Sequence, residues 1–138
     1  MYRESLWKIL KLYGIPEKLI NVFTKPYRSS SCCIRTRGGF ADMCDIVSGV
    51  KQGCILSPFL FLTVIDFVMR KTKEGKDFGR PISWDHKRFA DLDFANDLAL
   101  LDHTHGASQD MSNRLHGLGK KVGLQISDGK TKTMREGK

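Results

Sequence analysis

Three features of the sequence predict an α+β fold. Apolar residues recur at helical spacing in four stretches, and short β-like runs bounded by Gly, Asn, Asp and Ser lie between them. The chain has 138 residues and 41% hydrophobic content, enough for one modest domain with a core but not for two.

The elements follow in order. Leu6, Leu10 and Tyr13 mark a first helix over 3–13, which Gly14 ends. Pro16 is a first-turn residue for a second helix carrying Leu19, Ile20 and Phe23. Pro26 and the run Ser29-Ser30-Ser31 are expected to close it. Residues 32–36 and 40–47 read as two strands joined by Arg37-Gly38-Gly39, whose glycines suit a hairpin turn. A loop at 48–53 precedes Ser57-Pro58, an expected N-cap and first-turn pair. Beyond them, 59–73 carries FLFLTVIDFVM, the pattern of a buried core helix, with Asp66 as a charge on its face. Residues 73–87 are polar and contain Gly75, Gly79 and Pro81, so they read as a loop. LDFANDLALL then predicts a tight hairpin over about 91–102. Met111, Leu115, Leu118 and Val122 predict a helix over 108–122 with Gly123 as its stop. Short strands are expected at 124–127 and 130–134, around the turn Asp128-Gly129.

The formal net charge is +8, and it is unevenly placed. Residues 1–40 carry 8 basic and 2 acidic side chains, residues 41–104 carry 8 and 10, and residues 105–138 carry 7 and 3. Basic ends around an acidic middle suit a polyanionic partner and a cation-attracting centre. Cys32, Cys33, Cys44 and Cys54 form no C-x-x-C pair, and the four histidines no H-x-x-x-H, so zinc is not expected. Nor does the start MYRESLWKIL have the form of a secretory leader, so an intracellular protein with reduced thiols is expected. No apolar run approaches the roughly 20 residues that span a bilayer, and no membrane association is expected.

Three local patterns carry chemistry. In the 48–53 loop, Gln52 offers an amide that hydrogen-bonds in two directions, and Gly53 allows close approach to the backbone. In the hairpin, Asp97 stands at a tip, where polymerases hold metal ions. Lys130 and Lys132 flank a turn at the end of the chain.

Taken together and in this order, GVKQGCILSPFLF (49–61), LDFANDLALL (92–101) and GLQISDGKTKTM (123–134) resemble the reverse transcriptase of non-LTR retrotransposons. RESLWKILKLYGIP resembles the helix after the family's first catalytic aspartate, and VIDFVMRKT the continuation of the helix after its glutamine-glycine loop. The resemblance covers nearly the whole chain. It implies a single partial domain over 1–138: helices and hairpin at 1–47, Gln-Gly loop and core helix at 48–75, and metal hairpin, helix and Lys-Thr strand at 88–138. The implied fold is an incomplete polymerase palm, a small antiparallel sheet with helices packed on one face.

The resemblance also implies partners and roles. The family copies an RNA template from a DNA primer, using deoxynucleoside triphosphates and Mg²⁺ or Mn²⁺. Gln52 and Gly53 correspond to residues along template and nucleotide, and Lys130 to a lysine near the triphosphate. Phe94, Ala95 and Asp97 match the family's phenylalanine-alanine-aspartate-aspartate box, with Asp97 as metal ligand. Asn96 stands where the first box aspartate belongs, and its amide brings no charge to a metal. Asp91 and Asp93 match flanking positions rather than the catalytic pair. No residue here matches the upstream aspartate. Ser127 replaces a frequent asparagine. The expectation is therefore an inactive piece of a polymerase. The alternatives are a non-catalytic basic RNA- or DNA-binding module, and a decayed element product without function.

Overall fold

The computed structural model describes residues 1–81, 88–94 and 97–135. The fold is α+β, as expected, with four helices and small antiparallel ladders among the described residues. The chain divides into two compact units, Met1–Phe67 and Val68–Lys138.

In the first unit, α1 (Arg3–Leu12) ends as predicted, with Gly14 in the left-handed region at φ 76°. The second helix, α2 (Glu17–Arg28), packs against α1. It runs through Pro26 instead of stopping there. Proline's fixed φ is helical, and this close to the C-terminus it forfeits one ladder bond rather than the whole helix. Ser30 Oγ then donates to the Pro26 carbonyl at 3.0 Å.

The next strands are shorter than predicted. Here β2 (Arg35–Thr36) pairs with β3 (Gly39–Phe40) around Arg37-Gly38, and β1 (Ser31–Cys32) pairs with β4 (Cys44–Asp45). Cys33 and Ile34 separate the two ladders on one side, against Ala41, Asp42 and Met43 on the other. That one-residue excess is a bulge, and it breaks the predicted hairpin into two ladders.

The third helix, α3 (Leu56–Lys73), starts earlier than predicted and crosses from the first unit into the second. Ser57 is therefore inside the first turn and does not cap it; its hydroxyl donates to the Lys51 carbonyl. Pro58 keeps its first-turn place, where a missing N–H costs nothing. The helix buries one stripe, Leu60, Val64, Ile65, Val68, Met69 and Thr72, and leaves Phe59 and Leu62 about half exposed. It is less fully buried than its composition predicted. Leu6, Ile9 and Leu10 of α1 and Ile20 and Tyr27 of α2 are also buried.

In the second unit, β5 (Arg80–Pro81), inside what read as a loop, pairs with β6 (Arg88–Phe89). A longer ladder joins β7 (Asp91–Phe94) and β8 (Asp97–Leu100). The last helix is α4 (His105–Lys121), capped by Thr104 Oγ1, which accepts from the Ala107 N–H at 3.2 Å. It packs on β8. Phe78, Ala90 and Met111 form a buried cluster, flanked by Leu100 and Ala107.

Two further expectations are corrected. The described strands form four separate two-stranded ladders, not one sheet. The segments expected as strands at 124–127 and 130–134 are not strands. Thr131 folds back instead, its N–H and hydroxyl both donating to the Ser127 carbonyl at 3.0 and 2.9 Å. Such a side-chain bond offers the backbone an alternative to a ladder. Among the described residues no helix is long and apolar enough to cross a membrane.

Candidate functional site

The β7–β8 hairpin is built by its alternation. Its register pairs Asp91 with Leu100, Leu92 with Ala99, Asp93 with Leu98 and Phe94 with Asp97. Residues 95 and 96 lie between the two strands in the sequence. Asp97, expected at the tip, is instead the first residue of β8 and pairs with Phe94. Ala95 and Asn96, both candidate site residues, lie outside the described residues.

Cross-strand partners share a face, and successive residues alternate faces. One face therefore carries Asp91, Asp93, Leu98 and Leu100, and Leu100 packs on the Phe78–Ala90–Met111 cluster. The other carries Leu92, Phe94, Asp97 and Ala99. It faces solvent: Leu92 is 56% and Phe94 82% exposed. Asp97 thus stands beside Phe94 on an open face, while Asp91 and Asp93 belong to the opposite face.

The base of the hairpin is tied in three ways. Lys73, in the last turn of α3, pairs with Asp91 at 2.6 Å. The Leu101 N–H donates to the Ala90 carbonyl at 2.7 Å, extending the ladder. Asp102 accepts the Gly79 N–H at 3.0 Å and the His103 N–H at 2.7 Å. Burial pushes the Asp102 carboxyl up, but the N–H groups of Gly79, His103 and Thr104 outweigh it, and the net shift is downward. Gly79 is at φ 104°, and a Cβ there would lie 2.7 Å from the Phe89 carbonyl oxygen. No sequence pattern marked Asp102 or Gly79 as a pair, because their contact spans 23 residues.

The glutamine-glycine loop belongs to the first unit and is held by a residue read only as a helix start. Arg3 donates through Nε to the Gly49 carbonyl at 3.1 Å and through Nη1 to the Tyr27 carbonyl at 2.8 Å. Its guanidinium lies 5.0 Å from the Tyr27 ring centroid. Gly49, at φ 74°, donates to the Met1 carbonyl at 2.9 Å, and Tyr2 bridges to Ser48. Tyr27 Oη lies 3.4 Å from Ser57 Oγ, so ring and hydroxyls brace both ends of the loop. Gln52 and Gly53 sit at its exposed tip, with Gly53 at φ 77°. A Cβ on Gly53 would meet nothing within 4 Å, so conformation rather than crowding calls for glycine. The Leu56 backbone N–H draws the Cys54 thiol below its ordinary value.

Lys130 is exposed in the Ser127–Lys130 turn, its N–H donating to the Ser127 carbonyl at 3.0 Å. Asp66 accepts from the Tyr13 hydroxyl on the surface of the first unit. Among the described residues no group of three or more His, Cys, Asp or Glu is placed to hold a metal ion. Asp97 offers one carboxylate, and the Asp91 carboxylate is already engaged by Lys73. Mg²⁺ favours several hard oxygen ligands in near-octahedral order. The described residues do not fit a two-metal centre by themselves.

No protein-family model matches this chain. Over 134 residues, 95% of its length, it is 29% identical to the retrovirus-related Pol polyprotein from type-1 retrotransposable element R2 of Nasonia vitripennis. Over 101 residues, 72% of its length, it is 35% identical to the polyprotein of the same description from Popillia japonica. The chain spans only 12% and 14% of these two proteins. It is thus similar to a short segment of retrotransposon Pol polyproteins.

Proposed function

We propose that this chain is one partial domain, 1–138, of an RNA-directed DNA polymerase of the non-LTR retrotransposon kind, and that alone it does not polymerise nucleotides. The observation that carries the reading is Asp97, at the start of β8, paired with Phe94 on an exposed face. The similarity to R2 Pol polyproteins over most of the chain supports it. In this reading Gln52 and Gly53 lie along template and nucleotide, Ala95 and Phe94 shape the metal hairpin, and Lys130 serves the triphosphate. RNA template, DNA primer, deoxynucleoside triphosphates and Mg²⁺ or Mn²⁺ belong to the intact enzyme.

Inactivity follows from charge. A two-metal phosphoryl-transfer site needs carboxylates that clamp both ions. Here Asp97 remains, Asn96 contributes a neutral amide, and no residue matches the upstream aspartate. Fixed charge acts in the transition state, so removing one preorganised group typically costs about 10²–10³ in rate. At that cost per group, the two carboxylates that this chain does not supply should slow turnover by about 10⁴–10⁶.

The test is primer extension on an RNA template with Mg²⁺ or Mn²⁺. No incorporation is expected from this chain, nor from Asn96→Asp, which leaves the upstream ligand missing. Robust incorporation that disappears in Asp97→Ala would overturn the proposal.

A further inference from the structure

We propose that Cys32 and Cys44 are a thiol pair that closes to an intramolecular disulfide on reaction with a small-molecule disulfide, locking the 31–45 hairpin. The two residues are direct partners in the β1–β4 register. Their sulfurs lie 3.3 Å apart, and Cys44 Sγ is also 3.4 Å from the Cys32 carbonyl oxygen. Antiparallel partners have Cα atoms about 4.5–5.5 Å apart, inside the roughly 4.4–6.8 Å range that a disulfide spans. The bond therefore needs only a small approach of the two sulfurs. Both cysteines are free and exposed, so a reagent reaches them. Cys33 is exposed as well, but as the next residue along the strand it belongs to the opposite face. Cys54 lies outside this hairpin, next to the first turn of α3.

The chemistry balances with oxidised glutathione as the reagent. One protein thiolate attacks a reagent sulfur, forming a mixed disulfide and releasing one glutathione thiolate. The second protein thiolate attacks the protein sulfur of that mixed disulfide. The Cys32–Cys44 bond forms, and the second glutathione leaves. The protein loses two electrons, the reagent gains them, and the two thiol protons pass to the two glutathione thiolates. Hydrogen bonding to Cys44 holds the Cys32 thiol above its ordinary value, so closure should accelerate as pH rises. The locked pair would join β1, just after α2, to β4, just before the Ser48–Gly53 loop.

The full chain is treated with oxidised glutathione at several pH values, quenched with acid, digested without reduction and mapped by mass spectrometry. The expected product is a Cys32–Cys44 crosslink in the unmodified chain and in Cys33→Ser and Cys54→Ser. Cys32→Ser and Cys44→Ser should instead retain a mixed disulfide on the remaining partner. Closure in the native chain should run at least about tenfold faster than in the same chain in concentrated urea, because the fold holds the sulfurs together. Crosslinks that map to Cys33 or Cys54, persistent mixed disulfides on Cys32 and Cys44, or equal rates with and without urea would each overturn the proposal.

Discussion

Among single residues, Gly79 and Asp102 carry the clearest consequences, because they fix the base of the hairpin that presents Asp97. Gly79 has φ 104° and no room for a Cβ, which would sit 2.7 Å from a backbone oxygen. Gly79→Ala combines left-handed strain, about 1–3 kcal/mol, with overpacking of about 1–3 kcal/mol. The urea midpoint should fall sharply, whereas alanine at Gly53, which has open space around it, meets only the conformational cost. Equal midpoints for the two variants would refute the crowding at Gly79. Asp102 adds a pH dependence. Its folded pKa is depressed, so its contribution is present above the ordinary aspartate value and is lost as pH falls through the lower folded one. Asp102→Asn should flatten the acid limb of a thermal-melt series; an unchanged limb would show that another carboxylate governs it.

At the level of elements, the loop at 48–53 is tied to α1 and α2 through Arg3. Arg3 satisfies two carbonyls on different segments while stacking on Tyr27. Hydrogen bonds to a charged group are worth about 1.5–3 kcal/mol, so Arg3→Ala should destabilise the first unit by roughly that amount. It should also speed hydrogen exchange at the Gly49 amide. Arg3→Lys should restore little, since an ammonium lacks the planar fork that reaches both carbonyls. If Gly49 exchanges at the same rate in Arg3→Ala, the strap is not what holds the loop. This dependence also marks the limit of what the sequence could reveal. The helices were legible because their apolar stripes and stops, such as Gly14 and Gly123, are local signals. The hairpin was legible because apolar runs on either side of a polar step are a local signal too, although Asp97, expected at the tip, is the first residue of β8. Partnerships across many residues were not: Arg3 with Gly49, Gly79 with Asp102, and the bulge that splits the 31–45 hairpin. The end of the chain failed for the opposite reason. Its alternation in GLQIS reads as a strand, but with no partner strand among the described residues the Ser127–Thr131 bonds win locally.

For the whole molecule, charge makes a claim that is independent of catalysis. The two units share the excess equally: nine basic against five acidic residues in Met1–Phe67, and fourteen against ten in Val68–Lys138. Several of these charges are already paired within the fold, as in Lys73–Asp91, Lys71–Glu74 and Lys76–Asp110. Those pairs reduce how many of the 23 basic side chains are left to meet an external phosphate. If this chain retains the nucleic-acid affinity of a polymerase segment, binding single-stranded RNA should release counterions and weaken steeply with salt. Each phosphate neutralised on a single strand contributes about −0.7 to the slope of log K against log salt concentration. With about four to six contacts, the slope should fall near −3 to −4. Filter binding across a salt series measures it. The same slope should appear for Asp97→Ala, since phosphate contacts do not need the Asp97 carboxylate. No retention at low salt would leave the chain without the RNA-binding property that its charge predicts, whatever its relation to a polymerase.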